Sequence, residues 1–147
     1  MRKVKHLFLV TLAVYAVLLV GCKTEGCMDM DSVNYNAGAD VDDGSCRYEG
    51  QQALWFNETA SKGLIADGAT NLTVKIDGTS VGSISTSSFL TASPECGVDG
   101  AVTITQDLGN VKTQAFSYSV EDQTGFVYWE GVLNFNANTC TRTELGW

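Results

Sequence analysis

Five cysteines and seventeen acidic side chains hold most of the chemistry open to this 147-residue sequence. The single histidine, His6, stands in a leading segment whose pattern marks it for removal, so no histidine base or ligand is expected in the finished protein. Between Cys27 and Cys46 the side chains of Asp29, Asp31, Asn34, Asn36, Asp40, Asp42 and Asp43 crowd hard oxygen donors into one loop. Ca2+ takes roughly six to eight such ligands, so these residues are the candidate calcium set and calcium is the one candidate cofactor. The EF-hand register is absent, because Ala39 and Val41 fall where acids would be needed before Gly44. A carboxylate pair from Glu121, Asp122 and Glu130 has the chemistry for glycoside hydrolysis. In a chain this acidic such neighbours arise by chance, and neither Ser-x-x-Lys nor Gly-x-Ser-x-Gly occurs. No catalytic residue is assigned, and the expectation is a protein that is not an enzyme.

The leading segment carries Arg2, Lys3 and Lys5, then an almost wholly apolar run from Leu7 to Val20. These are the basic and apolar regions of a signal peptide. As a helix the run would reach about 21 Å, short of the roughly 30 Å hydrocarbon core of a bilayer. It closes on Leu19-Val20-Gly21-Cys22, which resembles the bacterial lipobox. The resemblance implies cleavage before Cys22 and acylation of its thiol. Two or more acyl chains anchor stably where one holds marginally. Lipidation at Cys22 leaves Cys27, Cys46, Cys96 and Cys140, an even number for bridges in an oxidising compartment.

The segment 22–50 shows no helix or strand period and few apolar anchors, so a covalent clasp between Cys27 and Cys46 is expected. Gly26-Cys27, Asn34-Tyr35-Asn36 and Asp42-Asp43-Gly44-Ser45-Cys46-Arg47-Tyr48 resemble a short module that recurs in secreted and surface proteins of the Bacteroidota. Modules of that kind are likened to calcium-binding thrombospondin type 3 repeats. Asp31-Ser32-Val33 fits an acceptor pattern for O-glycosylation in Bacteroidota envelope proteins, making Ser32 a candidate modification site. Asn57-Glu58-Thr59 and Asn71-Leu72-Thr73 look like eukaryotic N-glycosylation sequons that a bacterial envelope leaves bare.

From 51 to 147 short β-branched and aromatic runs alternate with Gly, Asn and Asp, and no helix is expected. Leu72, Val74 and Ile76 alternate with polar residues before an Asp77-Gly78 hairpin turn and a return through Val81 to Thr86. Val102 and Ile104 form the next strand, ended by a turn from Asp107 to Asn110, and Phe116, Tyr118 and Val120 form another. Gln123-Thr124-Gly125 then reverses the chain. The run Phe126 to Phe135 would place Val127, Trp129, Leu133 and Phe135 on one face and Phe126, Tyr128 and Val132 on the other. A last strand, Thr139 to Leu145, brings Cys140 back, and a bridge to Cys96 would staple it to the middle of the domain. Four cysteines still allow three pairings. The expected fold is all-β: a small antiparallel β-sandwich (51–147), preceded by a disulfide-closed irregular module (22–50) and a cleaved lipoprotein signal peptide (1–21).

Leu54-Trp55-Phe56, Val74-x-Ile76-Asp77-Gly78 with Val81-Gly82-Ser83-Ile84, Pro94-x-Cys96-Gly97, Trp129-x-Gly131 and Cys140 resemble small transthyretin-like or PEGA-like β domains of Bacteroidota lipoproteins. The formal net charge of -8 excludes a nucleic-acid partner, because phosphates are met by clustered lysine and arginine. The implied protein is a membrane-anchored lipoprotein of the cell envelope, in the outer membrane, with a non-catalytic structural, adhesive or accessory role. Its partners are the bilayer, through acylated Cys22, and envelope proteins or glycans. The alternative is a surface glycan-binding lipoprotein with a calcium-stabilised loop. Trp55, Phe126, Tyr128 and Trp147 are the candidate binding residues, since aromatic rings stack on sugars and on partner side chains.

Overall fold

The computed structural model describes residues 23–147, so the expected signal peptide and the expected lipidation site, Cys22, lie outside the described residues. Two short strands, β1 (Glu25–Gly26) and β2 (Val41–Asp42), pair in parallel and bring the two arms of the small module together. Cys27 and Cys46 are bonded to each other across it. Seven longer strands follow: β3 (Tyr48–Trp55), β4 (Asn71–Ile76), β5 (Thr79–Ser85), β6 (Val102–Gly109), β7 (Thr113–Asp122), β8 (Val127–Asn136) and β9 (Cys140–Glu144). They build a three-stranded sheet, β6-β3-β9, and a four-stranded sheet, β5-β4-β7-β8. Leu54 and Ile104 of the first sheet share one core with Leu72, Val74, Val120, Leu133 and Phe135 of the second, which is the sandwich arrangement.

The β4–β5 hairpin shows how local chemistry builds the sheet. Leu72, Val74 and Ile76 are buried while Asn71, Thr73 and Lys75 between them face outward or stand half-buried. Asp77 and Gly78 both have positive φ, 47° and 79°, the two-residue turn whose twist matches the strands it joins. The Asp77 carboxylate then accepts hydrogen bonds from the Ser117 amide at 3.0 Å and hydroxyl at 2.7 Å, tying the turn to β7.

Three features depart from the sequence reading. β3 starts at Tyr48, so the 50/51 division falls inside a strand and the module runs into the sandwich without a linker. β6 continues past Asp107, which pairs with Glu49, and the chain reverses only after Gly109. A helix, α1 (Glu58–Ala66), occupies a stretch expected to hold none. Its start is the Asn57 side chain, which accepts from the Ala60 amide at 3.0 Å. Its end is a Schellman turn: Gly68 (φ 88°) donates to Ile65 O and Ala69 to Leu64 O. Only Ala60, Ser61 and Leu64 are buried, too few apolar positions to announce a helical period.

The sandwich is antiparallel except at β9, which lies parallel to β3. A short corner brings it there. Asn138, with φ 50°, donates its amide to Glu49 O, and Gln51 donates to Thr139 O, so the chain enters alongside the start of β3 and runs with it. Cys140 is bonded to Cys96, as the staple reading expected. That bond holds a strap over the outer face of the three-stranded sheet. Gly97 donates to Thr103 Oγ1 at 2.7 Å and Glu95 pairs with Arg142, and Thr103 and Arg142 are the two neighbours of Ala53 in register. Ala53 and Trp55 alternate onto this face and are buried there.

Candidate functional site

The acidic module shows what its carboxylates are used for. Asp31 donates its amide to Asp29 Oδ1, Gly38 to Asn36 Oδ1, Gly44 to Asp42 Oδ1 and Ser45 to Asp43 Oδ1, all within 3.1 Å. These bonds form turns closed by the side chain itself. Asn34 spans the loop, accepting from the Arg47 amide and donating to Ser45 O, each at 2.8 Å, and Asp40 Oδ2 accepts from the Thr24 amide. Two acids are drawn together, and by a lysine: Lys112 Nζ, from the β6–β7 connection, lies 2.7 Å from Asp29 Oδ2 and 2.9 Å from Asp31 Oδ2. Tyr48 donates its hydroxyl to Asp29 Oδ2 at 2.9 Å, and the Lys112 ammonium stands 5.7 Å from the Tyr48 ring centre. The hydrogen bond from Lys112 holds the Asp29 carboxyl below its usual range, and the same pairing raises the Lys112 ammonium. Among the described residues no group of three or more acids, cysteines or histidines is arranged to hold a metal ion. Of the candidate calcium set, Asp29, Asn34, Asn36, Asp40, Asp42 and Asp43 each turn one oxygen onto a backbone amide, and Asp29 and Asp31 pair with Lys112.

Ser32 sits in the same module. It is 8% exposed, and its hydroxyl donates to Asp29 O at 2.7 Å, so the candidate glycosylation site is buried and engaged. Trp55, the first of the candidate binding residues, is 7% exposed and lies within the fold.

Phe126, Tyr128 and Trp147 come together on the surface, and a fourth ring joins them. Phe126 meets Tyr128 edge-on at 5.0 Å between centroids, and Tyr128 lies 5.7 Å from Trp129 and 6.0 Å from Trp147. A β-bulge explains the grouping. In the β7–β8 ladder Val120 pairs with Trp129 and Glu121 with Val127, so Tyr128 has no partner, and the alternation expected for Phe126 to Phe135 breaks at that point. Leu133 and Phe135 keep the inward face, Val132 is exposed, and Tyr128 and Trp129 both reach the cluster. Trp129 is held by Nε1 donating to Gly146 O at 2.7 Å. Trp147 lies across α1 at Gly63, where a Cβ would stand 2.5 Å from its Cδ2 and 2.6 Å from its Cζ2. Even so, Phe126 is 62% exposed and Trp147 58%.

Beside this edge is a shallow depression of about 330 Å3 between the end of α1 and the β7–β8 turn, lined by Asp67, Gly68, Asp122, Gln123, Phe126 and Tyr128 among others. Its frame is rigid. Gln123 accepts from the Thr70 amide at 3.0 Å and donates to Gly68 O at 3.0 Å, and Asp122 Oδ1 accepts from the Thr124 amide and hydroxyl and the Phe126 amide. Asp122 is 8% exposed, and the Thr124 hydroxyl foremost keeps its carboxyl below the usual range, so it is charged at neutral pH. Desolvation, then the charges of Asp67 and Asp122, push the Tyr128 phenol up.

Comparison with family models, with curated proteins and with solved structures gives no match. Lys112, Trp129 and Asp67 escaped the sequence reading. Lys112 and Asp67 lie in connections remote in sequence from their partners, and Trp129 was assigned away from Tyr128 by a strict alternation that the bulge interrupts.

Proposed function

We propose that this chain is a membrane-anchored lipoprotein of the cell envelope, tethered to the outer membrane through acylated Cys22 and serving a non-catalytic structural, adhesive or accessory role. The observation that carries the reading is the pairing of Cys27 with Cys46 and of Cys96 with Cys140, which takes up four of the five cysteines and sets apart Cys22, at the end of an apolar run of the sequence. Paired cysteines suit an oxidising compartment, and a lone cysteine after Leu19-Val20-Gly21 suits acylation. The module and sandwich share β3 and the Lys112 ion pairs, so the body next to the bilayer is braced and can bear a contact. Among the described residues no helix is long and apolar enough to cross a membrane.

Mass spectrometry of the membrane-extracted protein tests the anchor. The expected result is a chain beginning at Cys22 with acyl groups attached; an intact leader or a free thiol at residue 22 refutes it. A surface glycan-binding lipoprotein is the second reading, favoured by the exposed rings of Phe126 and Trp147 beside the half-buried Tyr128. It predicts saturable oligosaccharide binding on a glycan array that Tyr128→Ala abolishes.

A further inference from the structure

We infer that the Cys96–Cys140 bridge is a thiol–disulfide exchange site, attacked at Cys96 by a dithiol reductant and releasing the strap it holds, while Cys27–Cys46 is a fixed structural bond. The inference goes beyond the anchoring and contact role and does not depend on it. Cys27 and Cys46 are 1% and 9% exposed and belong to the core cluster, whereas Cys96 and Cys140 are both half-buried. Exchange begins when a thiolate reaches a sulfur, so the more open bridge is the one attacked.

The surroundings of Cys140 make it the leaving group. The Cys96 amide donates to Cys140 Sγ at 3.0 Å. An N–H already aimed at that sulfur stabilises the negative charge it takes on as the bond breaks. Arg142 lies two residues further along β9, on the same face by strand alternation, and adds a positive charge. Cys140 also borders an open depression of about 370 Å3, where water reaches it.

One thiolate of the dithiol attacks Cys96 Sγ, the bond to Cys140 breaks, and Cys140 departs as a thiolate that takes up a proton. The second thiol of the reductant loses its proton and attacks the reductant's own sulfur in the mixed disulfide, expelling Cys96, which is protonated in turn. The protein gains two electrons and two protons, and the dithiol leaves as its disulfide. The strap has little else to hold it. From 87 to 101 the chain has no helix or strand, and Pro94 alone is buried. Its ties to the sheet are the Leu90 amide on Phe56 O at 3.0 Å, Gly97 on Thr103 Oγ1 and Glu95 on Arg142. A segment with so few buried contacts opens at low cost. β9 stays in place, because it pairs with β3 from Gln51 to Trp55.

The test is timed reduction of the full chain in detergent micelles with dithiothreitol, trapping of free thiols with N-ethylmaleimide, and peptide mass mapping. Cys96 and Cys140 are expected to open at least about tenfold faster than Cys27 and Cys46, with the far-ultraviolet circular dichroism of the sheets kept. Amide hydrogen exchange is expected to rise at Leu90 and Gly97 in the reduced protein and to stay unchanged in β4 and β7. With glutathione, a monothiol, the mixed disulfide is expected on Cys96 and the maleimide on Cys140. Equal rates at the two bridges, or earlier opening of Cys27–Cys46, overturn the exchange site. Glutathione on Cys140 with maleimide on Cys96 overturns it too, and unchanged exchange at Leu90 and Gly97 overturns the release of the strap. The anchor is read separately by the mass spectrum at Cys22, so either proposal can fail alone.

Discussion

Gly63→Ala sets two effects of opposite sign against each other, and the structure decides between them. In an exposed helix interior the exchange adds about 1 kcal/mol of stability through backbone propensity. At Gly63 the new methyl would stand 2.5 Å from Trp147 Cδ2, closer than carbon atoms approach, so the indole must leave its seat on α1. With 58% of Trp147 exposed, somewhat under half of its surface is covered. For a side chain of roughly 250 Å2 that is about 100 Å2, worth about 2.5 kcal/mol at about 25 cal/mol per Å2. The net expectation is a loss of about 1.5 kcal/mol, a fall in melting temperature of about 6 °C for a domain of this size. Circular dichroism melts give the stability, and tryptophan emission should shift to longer wavelength as the indole enters water. The background Trp147→Ala inverts the sign: with no ring to displace, Gly63→Ala should raise the melting temperature. If Gly63→Ala stabilises equally in both backgrounds, the ring does not rest on Gly63 and the account of the aromatic edge is wrong.

Further outcomes follow from other parts of the molecule. Adding Ca2+ or EDTA should leave the melting temperature of the full chain unchanged, whereas Lys112→Gln should lower it; a calcium-dependent rise in the wild type would refute the assignment of Lys112 as the module's cation. Because the Asp29 carboxyl is held below its ordinary value, its contribution is complete above the unfolded carboxylate range and is lost as pH falls through the folded value. Acid melts from pH 6 downward should therefore show a stability loss that Lys112→Gln makes smaller. Replacing Cys96 and Cys140 together by alanine should cost about 4 kcal/mol in the chain-entropy account for a separation of 44 residues, and release of the strap should expose Trp55 to acrylamide quenching. An unchanged quenching profile would mean that the strap is held without the bond.

The strands were legible because their cues are local. Leu72-Thr73-Val74-Lys75-Ile76 alternates with a period of two, and Asp77-Gly78 supplies one of the few two-residue turns that join such strands tightly. The disulfides were legible by parity and position, and both expected pairs are present. The helix was hidden because its signals are caps, Asn57 and Gly68, around nine residues with few buried apolar positions. Asn57 and Asn71 looked like parts of sequons, while in the structure Asn57 begins α1 and Asn71 opens β4.

What the amino-acid order determined by itself was whatever depends on neighbours in the chain: the β class, the hairpin turn, the side-chain-closed turns of the module and the pairing parity of its cysteines. Tertiary structure alone decided what depends on residues far apart. Lys112 meets Asp29 across 83 positions, and its charge puts an internal ion pair into the acidic loop. The Tyr128 bulge gathers rings that strict alternation would have separated, and the end of α1 brings Asp67 to Asp122. Coulomb attraction and ring contacts act through space, so their partners become visible only once the fold has brought distant segments within a few ångströms.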